Sequence, residues 1–494
     1  MMTHRDQKHR GLSFHGSLLD SSAAQTQTLF ASPQYDCDVA IIGGGPAGLS
    51  AAIELKKSGI HHVVVLERES DAGGVPRHCD HSLFGFREFR RCFSGPRYAQ
   101  RLTEQARKCG VDIHINTSVI ALHPNAVIQL STPGGVKKIR ARKALISTGA
   151  RETPRSARLI SGRRPAGITT TGALQSTISF TGKKPFQNPV VIGSELVAFS
   201  SLLTCKFAGI QPVAMIEENP RITAWSSAVL LPKIFGVPLY TNTRLVEISG
   251  KQQVSSIRIR NADSTEKQLD CDGVIFTGHF IPEATLIRSS HLQFDKNSGG
   301  PVIDQYGRCS DSDYFATGNL LHPVETAGWC WAEGKQVAKN IKDSLNKVLP
   351  NANFRIPVHI LDKEIHYITP QVLTLPRNGQ QTQKFNPFFN FQLRFSSPVK
   401  GNLSVHSSSP HRKGDSRCKT QIASRHLGRH HVNTEYVDTE DAFPLFTKSF
   451  TSRPERRALL NIPYSNILDN LNVQGEPGIN KILIRFSDCA TLRL

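Results

Sequence analysis

The hydrophobic pattern of this chain writes the same unit twice. From Val39 the run VAII is continuously apolar, as in a parallel strand buried on both faces, and it ends in a glycine turn. A helical stretch follows and stops at Gly59, and a second apolar run, Val63 to Leu66, ends at the acid Glu67. At Val190 the order returns in VVIGSELVAF, where Leu196, Phe199, Leu203 and Phe207 fall at helical spacing. Gly209 then stops that helix, and PVAMIEE supplies the second strand with its acid, Glu217. The spacing from leading glycine to stop glycine to acid is the same in both units, so two βαβ units are predicted. Near the C-terminus FQLRFSSPVKGNLSV alternates as strand, turn and strand. The longest uncharged run, Val39 to Ile53, is short of a bilayer span and is broken by glycines and a proline, which predicts no transmembrane helix.

The first unit carries the glycines of a dinucleotide cradle. Gly43, Gly45 and Gly48 fill the G-x-G-x-x-G slots around Pro46 and Ala47. The first glycine permits the turn, the second lets backbone approach a pyrophosphate, and the third lets helix and strand pack closely. The helix N-terminus then faces the phosphates with its positive end. Glu67 stands where a carboxylate accepts the ribose hydroxyls of an adenosine.

The second unit keeps the frame but not the cradle. Its slots hold Gly193, Glu195 and Ala198. Alanine is an accepted variant at the third slot. Glu195 puts a side chain and a negative charge where a pyrophosphate should lie, and like-charge repulsion there costs about 1–4 kcal/mol. The alternative is that Glu195 swings outward and caps its helix. The first reading predicts a Rossmann-like domain in which NAD(P) binding is doubtful.

Two later segments say which dinucleotide the first unit takes. STGARETP, Ser147 to Pro154, follows the apolar run KALI, and DYFATGNLLHPVETAGWCWAEGKQVAKNI gives a strand, then Gly318-Asn319, then a helix. Together they resemble the two-dinucleotide-domain flavoproteins, in which such segments complete an FAD domain. The resemblance implies FAD contacts at Gly74, Thr148, Gly149, Gly318 and Asn319. The family usually has Gly-Asp where this chain has Gly318-Asn319. It also implies a helix beginning near Val324 whose N-terminus faces the flavin, with Glu325 and Thr326 near the ring.

A narrower likeness rests on Gly149–Gln175, Gly74–Cys79 and Asn319–Trp331. These segments resemble FAD-dependent oxidoreductase subunits of the opine oxidase A and hydrogen cyanide synthase B type, with the α subunit of heterotetrameric sarcosine oxidase as a more distant cousin. The likeness covers about residues 36 to 345. It implies oxidation at the C–N carbon of an amino acid, opine or amine. It also implies two partners, a small iron–sulfur subunit plus a second flavin subunit. Many such subunits add a cysteine-rich iron–sulfur segment; this chain lacks that pattern, so a cluster belongs on another chain.

The expected fold is therefore α/β. An FAD-binding Rossmann-like domain (36–155 and 300–345) carries an inserted, NAD(P)-binding-like Rossmann domain (156–299) and a small β-containing C-terminal appendage (350–494) suited to docking a partner. Residues 1–35 are polar, without a secretory signal pattern, and are expected to be a disordered tail. SSSPHRKGDSRCKTQ reads as a basic loop.

Composition narrows the chemistry. Ten cysteines form no C-x-x-C pair, which removes a dithiol redox centre and a zinc ribbon and predicts no metal site. That usage fits a cytoplasmic location; a quinone acceptor would place the complex peripherally on the inner membrane. The formal charge is +20, densest from Lys137 to Arg164, where Glu152 is the single acid. That stretch reads as a solvated face or as attraction for an anionic substrate or acidic partner. Aromatic content of 7% and the lack of a recognition motif argue against nucleic acid. Candidate catalytic groups are His78, His81 and His322, which titrate near neutral pH. Cys79 reads as structural, Arg151 and Arg155 as binders of a substrate carboxylate or FAD phosphates, and Trp329 and Trp331 as core. Three functions remain open: an amine-oxidising flavin dehydrogenase, an NAD(P)H-dependent flavin reductase, and a flavin-bearing electron-transfer or assembly subunit.

Overall fold

The computed structural model describes residues 35–352, 355–374, 388–408, 420–421, 436–437, 444–453, 456–463 and 481–488. The N-terminal tail up to residue 34 and most of the basic loop, 409–419, lie outside the described residues.

The first βαβ unit forms as its pattern predicts: strand Cys37–Ile42, helix Pro46–Lys57, strand Val63–Leu66. Pro46 begins the helix, where its missing N–H costs nothing. Five strands run parallel in the order Asp112–His114, Val63–Leu66, Cys37–Ile42, the end of Gly135–Ile146, and Tyr314–Ala316. The first half of Gly135–Ile146 extends into an antiparallel meander with Ser118–His123 and Val127–Thr132. Tyr314–Ala316 is thus a late strand completing an early sheet, followed by the helix Ala327–Leu345.

That helix crosses Pro46–Lys57 at very short range. A Cβ on Gly334 would lie 2.2 Å from the Ala47 carbonyl oxygen, and the Ser50 hydroxyl donates to Trp331 O at 2.7 Å. Only a glycine permits such an approach.

The second sheet repeats the first: Leu239–Tyr240, Ala214–Ile216, Pro189–Ile192, Gly273–Phe276 and Ile168–Thr170, all parallel. It too carries a meander, Arg244–Ser249, Ser256–Arg260 and Glu266–Asp270. The chain crosses between the two units on Ala150–Glu152 and returns on Phe280–Pro282, and these strands pair antiparallel.

Beyond residue 355 the described chain is all β. One sheet runs Val372–Thr374, Arg355–Ile360, Lys481–Asp488, Val399–Ser408, Phe446–Ser452; the other runs Ile365–Thr369, Phe388–Phe395, Ala458–Pro463. Phe391, Leu393, Leu403, Val405, Leu460 and Ile484 are fully buried in their shared core.

Among the described residues, no helix is long and apolar enough to cross a membrane, and no cluster of ligating side chains could hold a metal ion.

Candidate functional site

The first cradle is open where a phosphate would need it to be. Gly43 has φ +103, which makes the turn, and a Cβ on Gly48 would lie 2.1 Å from Gly43 O. A Cβ on Gly45, by contrast, would meet only Gly74 Cα, at 4.0 Å. Gly45 is also the helix N-cap and makes no side-chain cap bond, so the first-turn N–H groups of Pro46–Lys57 remain for an anion. Glu67 is buried beneath the turn. Its Oε2 accepts from Gly44 N at 2.8 Å and its Oε1 from Glu69 N at 3.0 Å.

Distant segments close around this turn. Gly73 N–H donates to Gly44 O at 2.7 Å, and Gly74 sits so near Gly45 that a Cβ there would come within 2.8 Å of Gly45 Cα. Gly318, with φ +73, lies against Ala47, where an added Cβ would be 2.9 Å from the alanine Cβ. Thr148 Oγ1 donates to Glu283 O at 2.8 Å, and Gly149 O accepts from Glu283 N at 2.9 Å, fastening that pair to the return crossover. Gly149 itself faces open space.

The Gly318 turn rests on a carboxylate that belongs to none of the recognised motifs. Glu333 Oε2 accepts from Gly318 N at 2.7 Å, and its Oε1 lies 3.2 Å from His322 Nε2. Burial pushes this carboxyl up, but His322 and the Gly318 N–H outweigh it and hold it below its ordinary value. The available sequence signal is an acid inside an apolar, glycine-containing helix, WCWAEG. His322 is therefore buried in an ion pair beneath the turn. Asn319 pins the loop: its Oδ1 accepts from Glu325 N at 3.0 Å and its Nδ2 donates to Glu325 O at 3.1 Å. The Glu325 carboxylate pairs with Arg394 at 3.0 Å, and Thr326, exposed, is the N-cap of Ala327–Leu345. Trp329 is not a core residue. It is 39% exposed and lies between two guanidinium groups, Arg87 at 3.8 Å and Arg457 at 3.9 Å from its ring. Trp331 does pack on the core.

The remaining histidines lie elsewhere, against the helices of the second unit. His78 is half-buried with its ring edge-on to Phe180, and burial, with Arg77 adding, pulls it down to about 4. His81 is buried, stacked on Phe84, with Nε2 2.6 Å from Ser200 Oγ. Ser200 also accepts from Gln175 Nε2 at 2.9 Å, and the Cys79 thiol donates to Gln175 Oε1 at 3.3 Å. Burial pushes that thiol up to about 12, which suits a packed, unreactive sulfur. The structure thus groups His78, Cys79 and His81 in one docking loop and leaves His322 apart. Arg155 is buried with its guanidinium donating to backbone carbonyls, among them Ser161 O at 2.7 Å and Gly162 O at 3.0 Å. Arg151 is exposed and pairs with Glu283 at 3.1 Å.

The second cradle is filled from within. Glu195 is the N-cap of Leu196–Ala208 yet makes no side-chain cap bond, so it does not swing outward to cap. Its carboxylate turns into the site: Oε2 accepts from Thr277 Oγ1 at 3.1 Å. A Cβ on Gly193 would lie 2.7 Å from Oε2, and one on Gly278 2.1 Å from Oε1. Burial pushes this carboxyl up to about 7. Arg158 braces the same loop, donating to Thr277 O at 2.8 Å and Gly278 O at 3.0 Å. The acid corresponding to Glu67 is consumed locally: Glu217 accepts from the Ser194 hydroxyl, and from Asn219 N at 2.8 Å.

The pyridine nucleotide-disulphide oxidoreductase profile matches residues 37–337. The opine oxidase A chain of Agrobacterium tumefaciens is 22% identical over 314 residues, 57% of this chain and 61% of that protein. An NADH dehydrogenase of Bacillus subtilis is 26% identical over 288 residues, 57% of this chain and 53% of that protein. The matched regions span less than two thirds of these relatives. The crystal structure of Lactococcus lactis thioredoxin reductase superimposes with a TM-score of 0.53 at 18% identity, covering 63% of this chain and 99% of that one; this likeness is one of fold.

Proposed function

The chain belongs to the pyridine nucleotide-disulphide oxidoreductase family and is an FAD-dependent oxidoreductase, and on that premise we propose that an organic amine, not NAD(P)H, is its reductant. The observation that carries this reading is the Glu195 carboxylate lodged between Gly193 and Gly278, where a second pyrophosphate would lie. A charged, partly buried group there must be displaced before any phosphate enters.

The first cradle fits FAD: Gly45 and Gly149 leave space, and the helix N-terminus is uncapped. Gly43, Gly45, Pro46, Ala47 and Gly48 would hold the pyrophosphate and Glu67 the adenosine ribose. Gly74, Thr148, Gly149, Gly318, Asn319, Glu325 and Thr326 would shape the flavin end. Bound FAD supplies a two-electron acceptor for hydride. The protein supplies the rest: a substrate oriented by its C–H bond, an unprotonated amine, and a site from which water is excluded. His78, kept neutral by burial at physiological pH, is suited to take the ammonium proton of an arriving amine. His81 and His322 are suited to orienting, since each already has a polar partner.

The substrate class is an amino acid, opine or amine oxidised at its C–N carbon. Support comes from the relative named as the A chain of opine oxidase, a name that also supports a heteromeric assembly, with an iron–sulfur subunit joining a second flavin subunit. The test is anaerobic bleaching of the flavin absorbance in the purified chain. Bleaching by amino acids or opines is expected. Rapid bleaching by NADH or NADPH would overturn the reading, and retained flavin that nothing bleaches would make the chain an electron-transfer or assembly subunit.

A further inference from the structure

The C-terminal β domain reaches into the segment that the proposed function assigns to the flavin. Strand Phe388–Phe395 alternates: Phe391, Leu393 and Phe395 enter the sandwich core, which sends Gln392 and Arg394 to the opposite face. Ala458–Pro463 pairs beside it, with Leu459 opposite Gln392, and Arg457 immediately precedes that strand.

These three side chains converge on the start of Ala327–Leu345. Arg394 donates to Glu325 Oε1 at 3.0 Å, with side-chain exposures of 7% and 11% for the two partners. Arg457 Nε lies 3.9 Å from the same oxygen, while its guanidinium covers Trp329. Gln392 Nε2 donates to Glu333 Oε1 at 3.4 Å, and Gln392 Oε1 accepts from Arg457 Nη1 at 3.4 Å. Glu333 in turn holds Gly318 N–H, and Asn319 holds the backbone of Glu325 at both N and O. The whole run of contacts leads to the Gly318–Thr326 loop.

We propose that Arg394 is a positioning residue for the flavin: through Glu325 it clamps the Gly318–Thr326 loop and neutralises the carboxylate that precedes the helix N-terminus. The inference rests on the reading that places the flavin against this loop. A helix N-terminus stabilises negative charge, including that of reduced flavin, and an uncompensated carboxylate two residues before the helix would oppose it. Arg394 cancels that carboxylate in a buried pair, where removing one partner leaves the other unpaired at high cost. The C-terminal domain is on this account part of the cofactor site.

The test measures FAD affinity and flavin midpoint potential in the full chain, for wild type, Arg394→Gln and the double variant Arg394→Gln/Glu325→Gln. Arg394→Gln is expected to weaken FAD about tenfold, within the usual range of coupling between sites, and to lower the potential. The double variant, lacking the stranded carboxylate, is expected to return the potential to the wild-type value. Wild-type affinity and potential in Arg394→Gln would overturn the proposal. Should the single variant fail to fold, the double decides: a wild-type potential supports the clamp, and a lowered one sinks it. Asn319→Ala separates the two levels. FAD loss in Asn319→Ala without any change in Arg394→Gln defeats the clamp alone, whereas no change in either defeats the placement of the flavin at this loop.

Discussion

Glu195 and Gly278 are fitted to one another: a Cβ on Gly278 would stand 2.1 Å from the Glu195 carboxylate, nearer than such atoms approach in folded proteins. The glycine that would ordinarily leave room for a nucleotide here leaves room for a side chain of the protein itself.

Removing that side chain should therefore reopen the site. Glu195→Gly is expected to gain NAD(P)H affinity worth about 1–4 kcal/mol, the like-charge repulsion it relieves. Fluorescence titration with NADH and NADPH reads the change directly. Equal, negligible binding in both proteins would mean that Glu195 is not the block.

The same carboxylate should leave a trace in stability. Its folded value is raised from 4.5 to about 7, so the folded state holds this proton more tightly than the unfolded chain does. Stability from this group is therefore complete below about pH 4.5, falls as pH rises towards 7, and is lost above 7. Glu195→Gln removes the titration. Its melting temperature relative to wild type should rise from pH 5 to pH 7 and level off beyond, the full difference being on the order of 3 kcal/mol. A difference that is flat with pH would refute the assignment.

Glu67 should govern the other nucleotide. Its two oxygens already organise Gly44 and Glu69, and bonds to a charged group contribute about 1.5–3 kcal/mol each. Glu67→Gln keeps one acceptor and is expected to weaken FAD by roughly tenfold or more, measured as flavin retained after dialysis. Unchanged retention would place the adenosine elsewhere.

The helix crossing offers a test of packing. Gly334→Ala would drive a Cβ to 2.2 Å from Ala47 O and 2.3 Å from Ser50 Oγ. Backbone must shift, at a cost of about 1–3 kcal/mol, and a lower melting temperature should come with poorer FAD retention because Ala47 belongs to the cradle. A stable variant with full flavin would show that the crossing has slack.

Sequence made the two βαβ units legible because apolar runs, stop glycines and terminal acids are local signals with fixed spacing. The Glu195 substitution was legible as well, since a charged residue in a glycine slot has few neutral explanations. Its inward direction was not, because that depends on Thr277 and Gly278, which arrive from another strand. Arg155 and Trp329 misled for the opposite reason. An arginine in a basic stretch gives no hint that it will collect carbonyls, and a tryptophan in an apolar helix gives none that two arginines will sandwich it. Arg394 and Glu325 are 69 residues apart on elements of different type, so no periodicity links them. The family likeness ended near residue 345 and made the β domain look like an addition, though its side chains reach the Gly318 loop.

The crossover strands Ala150–Glu152 and Phe280–Pro282 pair antiparallel, so the segment between them leaves and re-enters the first unit at neighbouring points. Its ends are already joined like the two legs of a hairpin. A short turn linking Glu152 to Phe280 could close that hairpin and yield a miniature flavoprotein without the second sheet.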